Sequence, residues 1–181
     1  MQERVVFLVF TKDIILLQAI YHLIKKDVIV HIQHAEDFCT VEELNAKVII
    51  DTFNNNIFYT SIAYQLDRIQ PAKVFILSPF RIKRCFGDLP VVFINRNVSL
   101  CNFITLLNCD GNYDISPELS ISRRQHQILT CILQQKSCYS IAEEMHISLK
   151  TYYCHKYNIM LLLKLRKMSD LVRHQISCYL Q

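Results

Sequence analysis

The chain has 181 residues, with 20 Lys and Arg against 16 Asp and Glu, enough length for two small domains that each bury a core. Its only glycines are Gly87 and Gly111, so neither a phosphate-cradling glycine loop nor a dinucleotide fingerprint can be written, which argues against a nucleotide-dependent enzyme. The positive charge is local: residues 119–181 hold nine Lys or Arg and three acids, residues 1–118 eleven and thirteen.

From the start of the chain, residues 5–10, 28–32, 47–50, 73–77 and 91–94 are short runs of Val, Ile, Leu and Phe, nearly continuous in apolar character. Such runs suit strands buried on both faces of a parallel sheet. Helical spacing lies between them at 14–23, 41–44, 57–69 and 98–107. Strands alternating with helices imply right-handed crossovers and a doubly wound α/β domain over residues 1–107, with flavodoxin-like strand order. Residues 108–119, with Asp110, Gly111, Asn112 and Ser116-Pro117, read as a linker and hinge.

Residues 120–181 read as an all-α unit of four helices. Ser122 and Gln125 have the spacing of a capping box, so a helix starts there, and Ile121, Ile128, Leu129, Ile132 and Leu133 give it one apolar face. Ser137 caps a short second helix burying Ile141, Ala142 and Met145; Ser148 caps a third over 149–163. Two such helices joined by a tight turn form a helix-turn-helix, whose second member enters the major groove of DNA. Spacing puts Tyr152, His155, Ile159 and Leu163 toward the core and Lys150, Tyr153, Cys154 and Tyr157 outward, where base edges would be read. Arg123, Arg124, Thr151, Lys156, Lys164, Arg166 and Lys167 are the expected phosphate contacts, which position a protein without reading sequence.

These residues, together with Ile147-Ser148, Asn158-Ile159-Met160 and Leu171-Val172, resemble the LuxR/FixJ-type (NarL-type) DNA-binding domain over about the last sixty positions. Gln125, Gln135 and Cys138 stand where that family usually has Glu, Gly and Asn, and the usual base-contacting Lys positions fall on Tyr153 and Tyr157. An α/β domain placed before such a module resembles the receiver of two-component response regulators. A working receiver needs an acidic pair after the first strand for Mg²⁺, because the metal neutralises charge on the transferred phosphoryl group. Asp51 falls on the phosphoacceptor position and Ser78 on the hydroxyl position, but Phe10 and Thr11 replace the acidic pair and Asn95 or Arg96 the Lys. Asp51 is therefore read as a degenerate acceptor, and the domain as a phosphorylation-independent pseudo-receiver for dimerisation.

Finally, residues 7–13, 48–52 and 158–172 resemble the GadE-like acid-resistance regulators of enterobacteria. That resemblance implies an activator of acid-resistance or related stress and virulence genes, acting on double-stranded DNA as a homodimer or a heterodimer with an RcsB-like response regulator, and in contact with RNA polymerase. No cofactor, metal, membrane or enzymatic activity is expected. The eight cysteines form no C-x-x-C and no zinc spacing with the histidines; Cys154 alone lies on the expected DNA face. With no leader and no apolar run of membrane length, a bacterial cytoplasmic protein, nucleoid-associated when DNA-bound, is expected. Two other readings stay open: a partner protein that modulates a response regulator without binding DNA, and a response regulator phosphorylated at Asp51.

Overall fold

A computed structural model of the chain describes residues 5–24, 27–40, 45–52, 60–83, 86, 88–95, 98–108 and 117–169. Five parallel strands, β1 (Val6–Phe10), β2 (Val28–Ile32), β3 (Lys47–Asp51), β4 (Lys73–Leu77) and β6 (Val91–Ile94), stand in the order β2-β1-β3-β4-β6. This is the flavodoxin-like order expected from the alternation of elements. Each run was apolar throughout because both faces are covered. Phe7, Val9, Ile49, Phe75, Leu77 and Ile94 point to one side, where α1 (Ile14–Leu23) and α3 (Leu100–Asn108) supply Leu17, Ile20, Phe103, Leu106 and Leu107. The alternate residues Leu8, Phe10, Val48, Ile50, Val74 and Ile76 point to the other, where α2 (Thr60–Ile69) supplies Ile62, Leu66 and Ile69.

Element ends follow their capping chemistry. Asp13 opens α1 by accepting from the N–H groups of Ile15 and Leu16. Helix α3 begins at Leu100 rather than Val98, because the Ser99 hydroxyl accepts from the Asn102 N–H and so sets the first turn. The expected helix at 41–44 and the first turn of the one at 57–69 lie outside the described residues. A 3-10 segment at Ala35–Thr40, which buries Phe38 against Phe10, had no counterpart in the sequence reading.

Neither did a second, two-stranded sheet. Between β4 and β6 the chain forms β5 (Arg81–Lys83), which pairs in parallel with β7 (Ser120–Ser122), just ahead of the helical unit. Ile82, Phe80 and Phe86 from the first half join Ile121, Ile128 and Leu129 from the second in one buried cluster, continuous with the α2 side of the sheet. Among the described residues, no helix is long and apolar enough to cross a membrane.

Candidate nucleic-acid interface

The helical unit comprises α4 (Arg123–Leu133), α5 (Cys138–Glu144) and α6 (Leu149–Leu162). All three start where a serine was expected to cap. Ser122 and Gln125 complete a reciprocal capping box, Ser137 accepts from the Ser140 N–H, and Ser148 accepts from the Thr151 N–H. All three also end alike. Gln135, His146 and Lys164 take left-handed backbone with φ of 59, 51 and 52°. The N–H of the next residue then bonds the carbonyl five residues back, Lys136 to Cys131, Ile147 to Ala142 and Leu165 to Met160, which is the Schellman closure. The left-handed conformation explains why the related domains place Gly where this chain has Gln135.

Helix α6 separates its faces as the spacing indicated except at His155, which was expected in the core and is only half-buried. Tyr152, Ile159 and Leu163 are buried, with Tyr152 in the cluster that holds Ile128, Leu129 and Ile141. Lys150, Tyr153, Cys154 and Tyr157 are all exposed, Tyr153 by 53% and Tyr157 by 62%. They lie at steps of three, one and three, hence on one side of the helix. The Tyr153 hydroxyl donates to the Cys138 sulfur at 3.8 Å, and this bond is the first cause that raises the Tyr153 pKa above the usual tyrosine value. Its ring also meets Tyr152 edge-on at 5.2 Å. Tyr153 is therefore tied to α5, while Tyr157 projects from the same face.

The expected phosphate contacts differ among themselves. Lys164, Arg166 and Lys167 are exposed beyond the end of α6, and Lys156 is half-buried. Thr151 is exposed, but its hydroxyl lies 2.8 Å from that of Ser148 within the cap. Arg123 is half-buried at the start of α4. Arg124 donates to the Met145 carbonyl at 2.6 Å, bridging α4 to the end of α5. Burial pushes the His155 pKa down, and the Arg124 charge adds to the shift. Leu171 and Val172, read as part of a fourth helix, lie outside the described residues. Spacing within single helices could not reveal Tyr139, which stands exposed at the start of α5 and interacts electrostatically with Tyr153.

At the receiver-like end, Asp51 is fully buried and accepts from the Thr11 hydroxyl at 3.0 Å. The Thr11 carbonyl in turn lies 2.9 Å from the His31 ring Nε2. Thr11, one of the two residues standing in for an acidic pair, thus contacts the carboxylate directly. Asp13 is engaged in capping α1, and the buried Ser78 hydroxyl accepts from the Phe80 N–H. Asn95 is exposed at the end of β6, and Arg96 lies outside the described residues.

A receiver-like sheet followed by a capped helix-turn-helix with an exposed basic and aromatic face is the architecture of a helix-turn-helix transcriptional regulator. Residues 6–113 match the GadE/DctR transcriptional regulator N-terminal domain, and residues 112–175 match the luxR family of bacterial regulatory proteins. The chain therefore belongs to the GadE/DctR family of DNA-binding transcriptional regulators. It is 44% identical over 176 residues to the HTH-type transcriptional regulator DctR of Escherichia coli K12, covering 96% of this chain and 99% of the relative. To the transcriptional regulator GadE of the same organism it is 30% identical over 169 residues, covering 93% and 97%. The likeness to GadE seen in the sequence is thus a family likeness, and similarity to DctR is greater. Among solved structures, RcsB from Salmonella enterica serovar Typhimurium bound to promoter rprA shares the fold, with a TM-score of 0.57 at 15% identity, covering 95% of this chain and 98% of that one.

Proposed function

We propose that this protein reads specific double-stranded DNA through α6 and associates through a receiver-like part that works without phosphoryl transfer. The observation that carries the first half is the sorting of α6 into a buried Tyr152, Ile159 and Leu163 seam and an exposed Lys150, Tyr153, Cys154 and Tyr157 face. Phosphate anchoring falls to the surrounding Arg and Lys residues, and specificity to the Tyr-rich face. Selection of duplexes from a random pool by the full chain tests it. A motif should emerge, and Lys150→Ala with Tyr157→Ala should bind it no better than unrelated duplex. Enrichment of no sequence would defeat the reading in favour of a partner protein that acts without DNA contact.

Support for the second half comes from the Thr11 to Asp51 bond, which engages one carboxylate oxygen, and from the full burial of Asp51. A hard cation prefers at least six oxygen ligands, and the acidic pair that would help supply them is replaced by Phe10 and Thr11. Incubation with acetyl phosphate and Mg²⁺ should leave the intact mass unchanged. A single phosphate that disappears in Asp51→Ala would establish the phosphorylated reading instead.

Association is best placed on the α1 and α3 side. There Ile14 and Ile15 are 71% and 83% exposed and Leu100 59% exposed, beside an apolar cavity of about 220 Å³ lined by Leu16, Ile20, Leu23 and Phe103. Exposed knobs beside a hollow on the same face suit a two-fold pairing of identical chains. Ile15→Asp should convert a sedimenting dimer to monomer without loss of helicity. The same face could receive a response regulator of the RcsB type. Kinship with GadE supports activation of acid-resistance or related stress genes, in contact with RNA polymerase, by a cytoplasmic protein that joins the nucleoid on binding DNA.

A further inference from the structure

The two halves of the chain meet through the β5 and β7 pair. Arg81 is opposite Ser120, Ile82 opposite Ile121 and Lys83 opposite Ser122, and the Arg81 N–H donates to the Leu119 carbonyl at 2.8 Å. A ribbon of two short strands is marginal in water unless it packs on something else. Here it packs on α4: Phe80, Ile82, Phe86 and Ile121 are buried in one cluster with Ile128 and Leu129. β7 also ends on Ser122, the cap of α4, so the residue that closes the pair is the residue that opens the helix.

Helix α4 is in turn the floor beneath the DNA-facing helix. It contacts both α5 and α6, and its Arg124 reaches the Met145 carbonyl at the end of α5. With the pair formed, Lys150, Tyr153, Cys154 and Tyr157 all stay exposed. A docked arrangement that hid this face would have to open before DNA could enter. This one has no such need.

We infer that the β5 and β7 clasp stays closed on DNA and that Ile82, with Phe80, is a positioning residue for DNA recognition. The receiver-like half then holds α4, and through it α6, at a fixed angle. Residues 78–83 run directly from the buried Ser78 at the end of β4 into the clasp, so this segment belongs mechanically to both halves. The inference rests on the DNA-binding reading above.

Hydrogen exchange on the full chain, with and without a duplex selected from a random pool, tests it. Amides of 81–83 and 120–122 should exchange no faster with duplex bound. Ile82→Ala should lower affinity on the order of tenfold, a typical size for coupling between sites, while amides of α5 and α6 keep their protection. Ile82→Val should bind as the wild type does. Faster exchange at 81–83 on DNA binding, or wild-type affinity in Ile82→Ala, would overturn the inference. Should Ile82→Ala lose the protection of α6 as well, the comparison of the wild-type chain with and without duplex decides alone. Failure to select any duplex would defeat the DNA-binding reading and this inference with it.

Discussion

His126 makes the helical unit acid-sensitive by an amount that can be worked out. It sits in α4 at 1% exposure, and burial drives its pKa down to about 3. In the unfolded chain its imidazole titrates normally, near about 6.5. Above that value neither state takes up a proton there, and His126 adds no pH dependence. As the pH falls below it, the unfolded chain gains a proton that the folded chain refuses, so stability declines until the folded pKa is reached. At pH 5.0 the unfolded imidazole is protonated about thirtyfold over neutral, a loss of about 2 kcal/mol relative to pH 7.5. The figure holds for any folded pKa below about 4.5, so it does not depend on the depth of the depression. Urea unfolding of the wild type and His126→Phe at both pH values isolates this term, because every other titrating group is common to the two proteins. The wild type should lose about 2 kcal/mol more than the variant between pH 7.5 and 5.0. A double difference under about 0.5 kcal/mol, or one of opposite sign, would show that the imidazole takes up its proton in the folded state and refute the reasoning.

Gln135→Gly relieves a side chain held at φ 59° and should raise stability by about 0.5–1 kcal/mol, read as a higher urea midpoint at unchanged slope. Because the Tyr153 hydroxyl is directed to Cys138, Tyr153→Phe should leave duplex affinity within about twofold, whereas Tyr157→Ala should cost about 1–3 kcal/mol at its base step. A matched loss in both, measured by mobility shift, would show that the Tyr153 hydroxyl itself reads a base rather than serving Cys138. Alkylation of exposed Cys154, verified by mass, should obstruct docking, and Cys154→Ser should bind normally after the same treatment. Unchanged affinity of the alkylated wild type would remove Cys154 from the interface.

The sheet was readable because each strand announced itself by composition, and its order followed from alternation with helices. The three caps at Ser122, Ser137 and Ser148 were readable because a cap is a local contract between a hydroxyl and an amide two or three residues on. What escaped was non-local. Arg81–Lys83 carries no strand signature in three residues, and its partner lies nearly forty positions later in a segment read as the start of a helical domain. The Tyr153 bond to Cys138 joins two helices, so the period of either could not disclose it. Asp51 directly follows the run 47–50 that is legible as a strand, but only the fold brings Thr11, forty residues away, onto its carboxylate.

The scarcity of glycine bears on how α6 is aimed. A chain with glycine at its helix ends can relax each turn, since glycine tolerates many backbone states at little cost. Here Gln135, His146 and Lys164 hold the left-handed positions instead, and each side chain narrows the backbone choices while its Schellman bonds fix the exit. The turn into α6 is thereby reduced to His146, the half-buried Ile147 and the capping Ser148. One end of the recognition helix is set by that turn, and the floor beneath it by α4, whose own start is fixed to β5 through Ser122. On the DNA-binding reading proposed above, substitutions at Ile82, His146 or Gln135, which touch none of the expected DNA contacts, should each change the angle at which Lys150 and Tyr157 meet a groove. If the proposed clasp holds on DNA, specificity follows from the clasped chain, and the Tyr-rich face states only which groups are presented.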